Sequence, residues 1–245
     1  MDEVAQFDAA ILIRGANSVK SVALLMEQGH WEHATGVVRQ LFELLVNMEH
    51  LNRMPDRAAA TLLYCRFGVL QQIRARHRQC LYTASTGRPV NAEHLKFLEH
   101  HLAHSFGDFQ GKPKSDGSPR WVSAWHKKTT RDLAELSTDK MRVHQYDQLY
   151  SVWSEQTHAA PGALMESIFR EAHEGWVDAV VESDDKKIIE TASMALMLFV
   201  QLWWALPNVP VLEPERVMQW MLVMMEIMAV PEFDSLPGYR LDNPS

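Results

Sequence analysis

Apolar residues recur along most of the chain at spacings of three and four, the period of one face of an α-helix. No run of alternating, β-branched residues sits between turn signals. The pattern predicts helices at about 4–28, 31–54, 56–84, 91–105, 127–137, 142–158, 161–182, 185–205 and 213–229. Punctuation agrees: Pro55 and Asp56 open one helix, Gly87 and Pro89 follow its end, and Pro207 and Pro210 stop another. Residues 107–120, GDFQGKPKSDGSPR, read as a loop insert that joins helical parts or serves as a flap. The expected architecture is all-α: a helical bundle forming a single domain over residues 1–230, with extra C-terminal helices and a tail at 231–245.

The helix beginning near Trp31 is apolar around most of its circumference, through Ala34, Val37, Val38, Leu41, Phe42, Leu44, Leu45, Val46 and Met48, and should be central. At 100° per residue its narrow polar strip holds Glu32, Gly36, Arg39, Glu43, Asn47 and His50. Arg39 and Glu43, four apart, can pair on a solvated surface or line a half-buried pocket; both readings stay open. The Met-rich run VMQWMLVMMEIM (217–228) suits a core or a subunit contact better than a promiscuous groove, and a homodimer is expected.

Length and composition then narrow the class. With 245 residues, 47% hydrophobic and 22% charged, and only 2 Cys, the chain is neither disordered, collagen-like nor disulfide-stapled. Cys65 and Cys80 lack Cys-x-x-Cys spacing and read as reduced thiols of a cytoplasmic protein. The acidic start Met1-Asp2-Glu3 is not that of a signal peptide, and the apolar window 188–206, interrupted by Glu190, Ser193 and Gln201, reads as a buried helix; no membrane partner is expected.

Net charge is -7, but unevenly spread: residues 1–148 carry 19 Lys+Arg against 16 Asp+Glu, and 149–245 carry 5 against 15. Between Arg57 and Asn91 there is no acid at all, while Arg57, Arg66, Arg74, Arg76, Arg78 and Arg88 are present. On that helix Leu62, Val69, Leu70 and Ile73 define an apolar face that includes Arg66, which needs a carboxylate or an anionic ligand unless it snorkels outward. Arg74 and Arg78 lie off that face. Lys112, Lys114, Arg120, Lys127, Lys128 and Arg131 form a second basic cluster beside the insert. Such a distribution suits RNA or a nucleotide as partner, or else a solvated charged face, since no stacking motif is interleaved with the basic residues.

The segment 146–158 places Tyr146, Tyr150, Trp153, Ser154, Thr157 and His158 on one face. Rings mixed with hydroxyls and an imidazole bury only if their polar tips find partners. One reading is a satisfied polar network near a helix end. The other is a site with His158 as general acid/base, Arg39 or Arg66 holding an anionic oxygen, and Tyr150 or Ser154 orienting the substrate.

Ala34 and Arg39-x-x-x-Glu43 before an apolar run, a Trp at 125, Thr-x-Arg-Asp-Leu-Ala at 129–134, and Tyr-x-x-x-Tyr-x-x-x-Ser-x-x-x-His at 146–158 together resemble a bacterial family of all-helical proteins. That family looks related to the HEPN superfamily, and the resemblance covers about residues 10–205. It implies a dimeric helical bundle in a stress or defence setting, with Arg39, Glu43, Tyr150, Ser154 and His158 at the family's polar positions. Many HEPN proteins are metal-independent ribonucleases with an Arg-x4–6-His pair. Here Arg120 to His126 and Arg88 to His94 have that spacing, but Trp121 and Pro89 follow the arginines where a polar residue is usual. With 12 His in the chain, about two such matches arise by chance.

These features lead to RNA, or another phosphate-bearing ligand, as the thing bound, and to its cleavage as a second expectation, with catalytic His158 and Arg39 and binding residues Glu43, Arg66, Tyr146, Tyr150 and Ser154. Two alternatives compete: a non-catalytic helical module for dimerisation or docking, and a di-metal helical enzyme built on Glu27-x-x-His30 and Glu155-x-x-His158 with Glu43 and Glu190. Gly29 breaks the first of those motifs, and His100 with His104 lacks a third zinc ligand. Neither a phosphate-binding Gly loop nor a nucleophile elbow is present, and no metal or other cofactor is expected.

Overall fold

The computed structural model describes residues 2–113, 115, 117, 119–153, 184–216, 218–220 and 222. Its helices are α1 (Glu3–Glu27), α2 (Trp31–Asn52), α3 (Arg57–Ser85), α4 (Ala92–His104), α5 (Thr130–Leu136), α6 (Met141–Asp147) and α7 (Asp184–Trp204). A 3-10 turn spans Gly107–Phe109, and α6 runs on into a π-helical turn at Gln148–Val152. No strand occurs among the described residues, only an isolated bridge between Gln110 and Trp121, so the chain is all-α. The expected helix at 161–182, and most of that at 213–229, lie outside the described residues.

Helix ends follow the local chemistry. The Asp56 carboxylate accepts from the Ala59 amide at 2.9 Å, and Asn91 accepts from the Glu93 and His94 amides at 3.0 and 3.1 Å. Each satisfies donors that a first helical turn leaves orphaned. Gly29 and Gly87, at φ of 75° and 76°, end α1 and α3 in the left-handed region that glycine enters without a Cβ clash.

Two compact units form. The first holds the described residues up to Asn52 and from Thr130 on; the second is Arg53–Thr129. In the first, α2 is the centre, packed by α1, α7 and α5, and α1 also meets α7. Its buried side chains Val38, Leu41, Phe42, Leu45, Met48 and Leu51 face Ile11 and Val22 of α1, Leu198 and Leu202 of α7, and Leu133 of α5. Gly15 sets the α1–α7 approach: a Cβ there would lie 2.8 Å from Leu202 Cδ2 and 3.2 Å from Phe199. Asp8, wholly buried, accepts from the Asn208 amide and side chain at 3.2 and 2.9 Å and ties the segment after α7 to α1. By length and composition alone α1 could cross a membrane, whereas the 188–206 window packs against α1 and α2.

In the second unit α3 packs on α4. The buried line on α3 is Ala60, Phe67 and Leu70, which corrects the apolar face expected from the sequence: Leu62 and Val69 are 62% and 49% exposed. Apolar residues occur on two sides of α3, and the line that carries Phe67 meets a partner ring, Phe109, at 5.2 Å. Phe109 is itself buried, Gly111 donates to the Arg120 carbonyl at 2.6 Å and Val122 to that of Phe109 at 3.0 Å. The insert is therefore anchored at both ends. Cys65 and Cys80 are free thiols.

Candidate functional site

Every residue of the polar strip on α2, from Glu32 through Gly36, Arg39, Glu43 and Asn47 to His50, is half-buried. Helices on either side leave α2 too little open surface for a wide solvated face. Arg39 and Glu43 both engage Tyr150 rather than each other. The Arg39 guanidinium carbon sits 4.2 Å from the Tyr150 ring centroid, and the Tyr150 hydroxyl donates to Glu43 Oε1. Burial, followed by the Glu43 hydrogen bond and charge, raises the Tyr150 phenol well above its ordinary range, while Thr130 and Arg39 act in the opposite sense.

Tyr150 in turn stacks on Tyr146, with centroids 4.5 Å apart and planes within 12° of parallel. Arg131 of α5 lies 5.9 Å from the Tyr146 centroid on an exposed side chain paired with Glu135 at 3.0 Å. Four residues thus form a ladder in the order arginine, tyrosine, tyrosine, arginine, each cation facing the electron-rich face of a ring. Arg39 rests on its ring face and, among the described residues, no carboxylate or carbonyl is bonded to its guanidinium. A guanidinium held in place with open donors is suited to an anionic oxygen.

The ladder depends on a buried network that sequence reasoning missed. Arg142, 3% exposed, donates to Glu49 Oε1 from Nε at 2.9 Å and from Nη2 at 2.6 Å. Its Nη1 reaches Gln145 and Gln201 at 2.9 Å each and Asp139 at 3.1 Å. Ser137 donates to the other Glu49 oxygen at 2.8 Å. One arginine therefore links α2, α6 and α7, and it lies four and eight residues before Tyr146 and Tyr150. A usable signal existed: counting back from the apolar Trp153 and Leu149 by fours reaches Gln145, with Arg142 one turn before, all on the buried side.

Residues 9–175 match the sequence model of a family described as "Family of unknown function (DUF5677)". The chain belongs to that family. No curated protein and no solved structure matches it. The stretch of this DUF5677 chain that matches carries the candidate RNA-site residues, from Arg39 to His158, and ends before α7, which holds Glu190.

Of those candidates, Arg39, Glu43, Tyr146 and Tyr150 are brought together. Ser154 and His158 lie outside the described residues, as does Glu155. Arg66 belongs to the second unit of the DUF5677 chain, where the carboxylate it needs is Asp108 of the insert, at 3.0 Å, and the Ser105 carbonyl takes its other nitrogen at 3.0 Å. In that unit Arg74 lies 5.7 Å from the Trp121 ring, so folding supplies an aromatic partner that the linear order of residues lacks. Gly29 leaves Glu27 as the last residue of α1 and His30 beyond it. His100 and His104 stack at 4.5 Å, with His104 Nδ1 on the His100 carbonyl. Among the described residues no group of three or more His, Cys, Asp or Glu is gathered as metal ligands would be.

Proposed function

We propose that this chain is a cytoplasmic, homodimeric relative of the HEPN superfamily that binds RNA, or another phosphate-bearing ligand, in a bacterial stress or defence setting. The supporting observation is the half-buried Arg39, seated on the Tyr150 ring with no carboxylate or carbonyl bonded to its guanidinium among the described residues, and Glu43 drawn aside onto the Tyr150 hydroxyl. A phosphate oxygen is the anion such a fork suits, because two parallel N–H bonds match its geometry. We extend the proposal to cleavage: in sequence, the fourfold spacing from Tyr146 to Tyr150 continues to Ser154 and His158, an imidazole able to take the proton of a ribose 2′-hydroxyl as its oxygen bonds to the adjacent phosphorus, the P–O5′ bond breaks and the 5′-oxygen leaves with a proton from solvent, while Arg39 meets the charge growing on the non-bridging phosphate oxygens.

Purified protein mixed with total RNA in EDTA tests both steps. Cleavage should vanish in His158→Ala with binding retained. Arg39→Ala, and to a lesser degree Arg39→Lys, should weaken binding as well, because lysine lacks the planar fork that rests on Tyr150. No cleavage, together with RNA binding unchanged in both alanine variants, overturns the reading.

A second reading, a docking module, draws on the exposed Leu62, Val69, Leu81 and Tyr82 of α3. Light scattering that shows a monomer at every concentration would count against both that module and the homodimer.

A further inference from the structure

Holding an anion takes one arginine and one ring, yet the site has two rings and a second arginine. The successive separations are 4.2, 4.5 and 5.9 Å from Arg39 through Tyr150 and Tyr146 to Arg131. Tyr150 is closed on both faces, by Arg39 and by Tyr146. Tyr146 has a looser neighbour as well: Arg131, an exposed side chain whose guanidinium carbon stands over the ring at 5.9 Å from its centroid, against 4.2 Å for Arg39 on Tyr150. A planar ring inserted there would need about 3.5 Å to each neighbour, about 7 Å in all. Arg131 is paired with Glu135 on the exposed surface, so a change of rotamer can widen the gap to admit it.

Charge argues for the same occupant. Arg131 already donates to Glu135 at 3.0 Å, so part of its hydrogen-bonding fork is taken. It offers a phosphate less than Arg39 does, but its guanidinium plane remains available for stacking. The inner arginine is therefore suited to phosphate and the outer one to a flat, neutral π-system.

We propose that Tyr146 and Arg131 form a nucleobase-stacking subsite, in which an unpaired base of single-stranded RNA enters between ring and guanidinium while a phosphate of the same strand reaches Arg39. The inference rests on the RNA reading above and names its substrate class. A paired base cannot enter, because its faces are already stacked within the duplex. Sequence preference should be weak, since every base has a π-face and no hydrogen-bonding edge is read by the ladder.

Fluorescence anisotropy at fixed salt, on three labelled probes, is the test: a short single-stranded RNA, the same backbone with abasic riboses, and an RNA duplex. The wild-type protein should bind the single strand about tenfold more tightly than the abasic strand or the duplex. Tyr146→Ala should remove that advantage, whereas Tyr146→Phe should keep it. Arg131→Ala, a change on an exposed side chain, should lower the affinity for base-bearing RNA more than that for the abasic strand and guards against misfolding of Tyr146→Ala. Equal affinity of wild-type protein for base-bearing and abasic strands overturns the stacking subsite and leaves phosphate binding at Arg39 standing. Failure to bind any of the probes overturns both.

Discussion

Tyr150 is where the sequence pattern and the folded geometry meet most closely. Its phenol is pushed above the usual value near 10 by burial and by Glu43, so the neutral form is favoured in the folded chain. The stability this contributes is complete below about pH 10 and is lost as pH rises further, because the unfolded tyrosine ionises first. Ultraviolet titration of the native protein should therefore show a late-ionising phenol among its 5 tyrosines, and Tyr150→Phe should remove it. A Tyr150→Phe spectrum that still contains the late phenol would refute the assignment. Arg39, Glu43 and Tyr150 were legible in the sequence because fourfold spacing marks one helix face; that Arg39 would sit on the ring instead of pairing with Glu43 was not, since that choice depends on a residue 107 positions from Glu43. Arg66 was legible as an arginine in need of a carboxylate, but the identity of Asp108 depended on how the insert returns to α3.

Among the elements, α6 has the most to lose. The Arg142 network fixes it against α2 and α7, and breaking a buried pair by removing one partner costs about 3–5 kcal/mol. Arg142→Ala should lower the denaturation midpoint accordingly, and the Arg142→Met/Glu49→Leu double variant should recover much of the loss; calorimetry distinguishes the outcomes. If Arg142→Ala melts with the wild type, the network is dispensable. At the α1–α7 crossing, Gly15→Val should cost about 1–3 kcal/mol by overpacking against Leu202 and Phe199, despite valine's smaller backbone entropy loss. Helix positions were readable from periodicity and caps, as at Asp56 and Asn91. The face that each helix buries was readable only where one stripe dominated, as on α2; α3, with apolar residues on two sides, was misread at Leu62 and Val69.

For the whole molecule, the chain order of the first unit matters most. It is discontinuous: α2 precedes the excursion Arg53–Thr129, and α5 to α7 follow it. Periodicity reports neighbours along one helix, so the return of Thr130 onward to α2 was not evident from it. It also gives the site a birth date. The strip carrying Arg39 and Glu43 emerges from the ribosome 107 residues before the ring that Glu43 bonds, a gap of roughly 5–20 s of synthesis. Until then the nascent chain has a cation and a carboxylate without the ring that engages both. The discontinuity thus acts as a timer, withholding the assembled site until most of the polypeptide has been made.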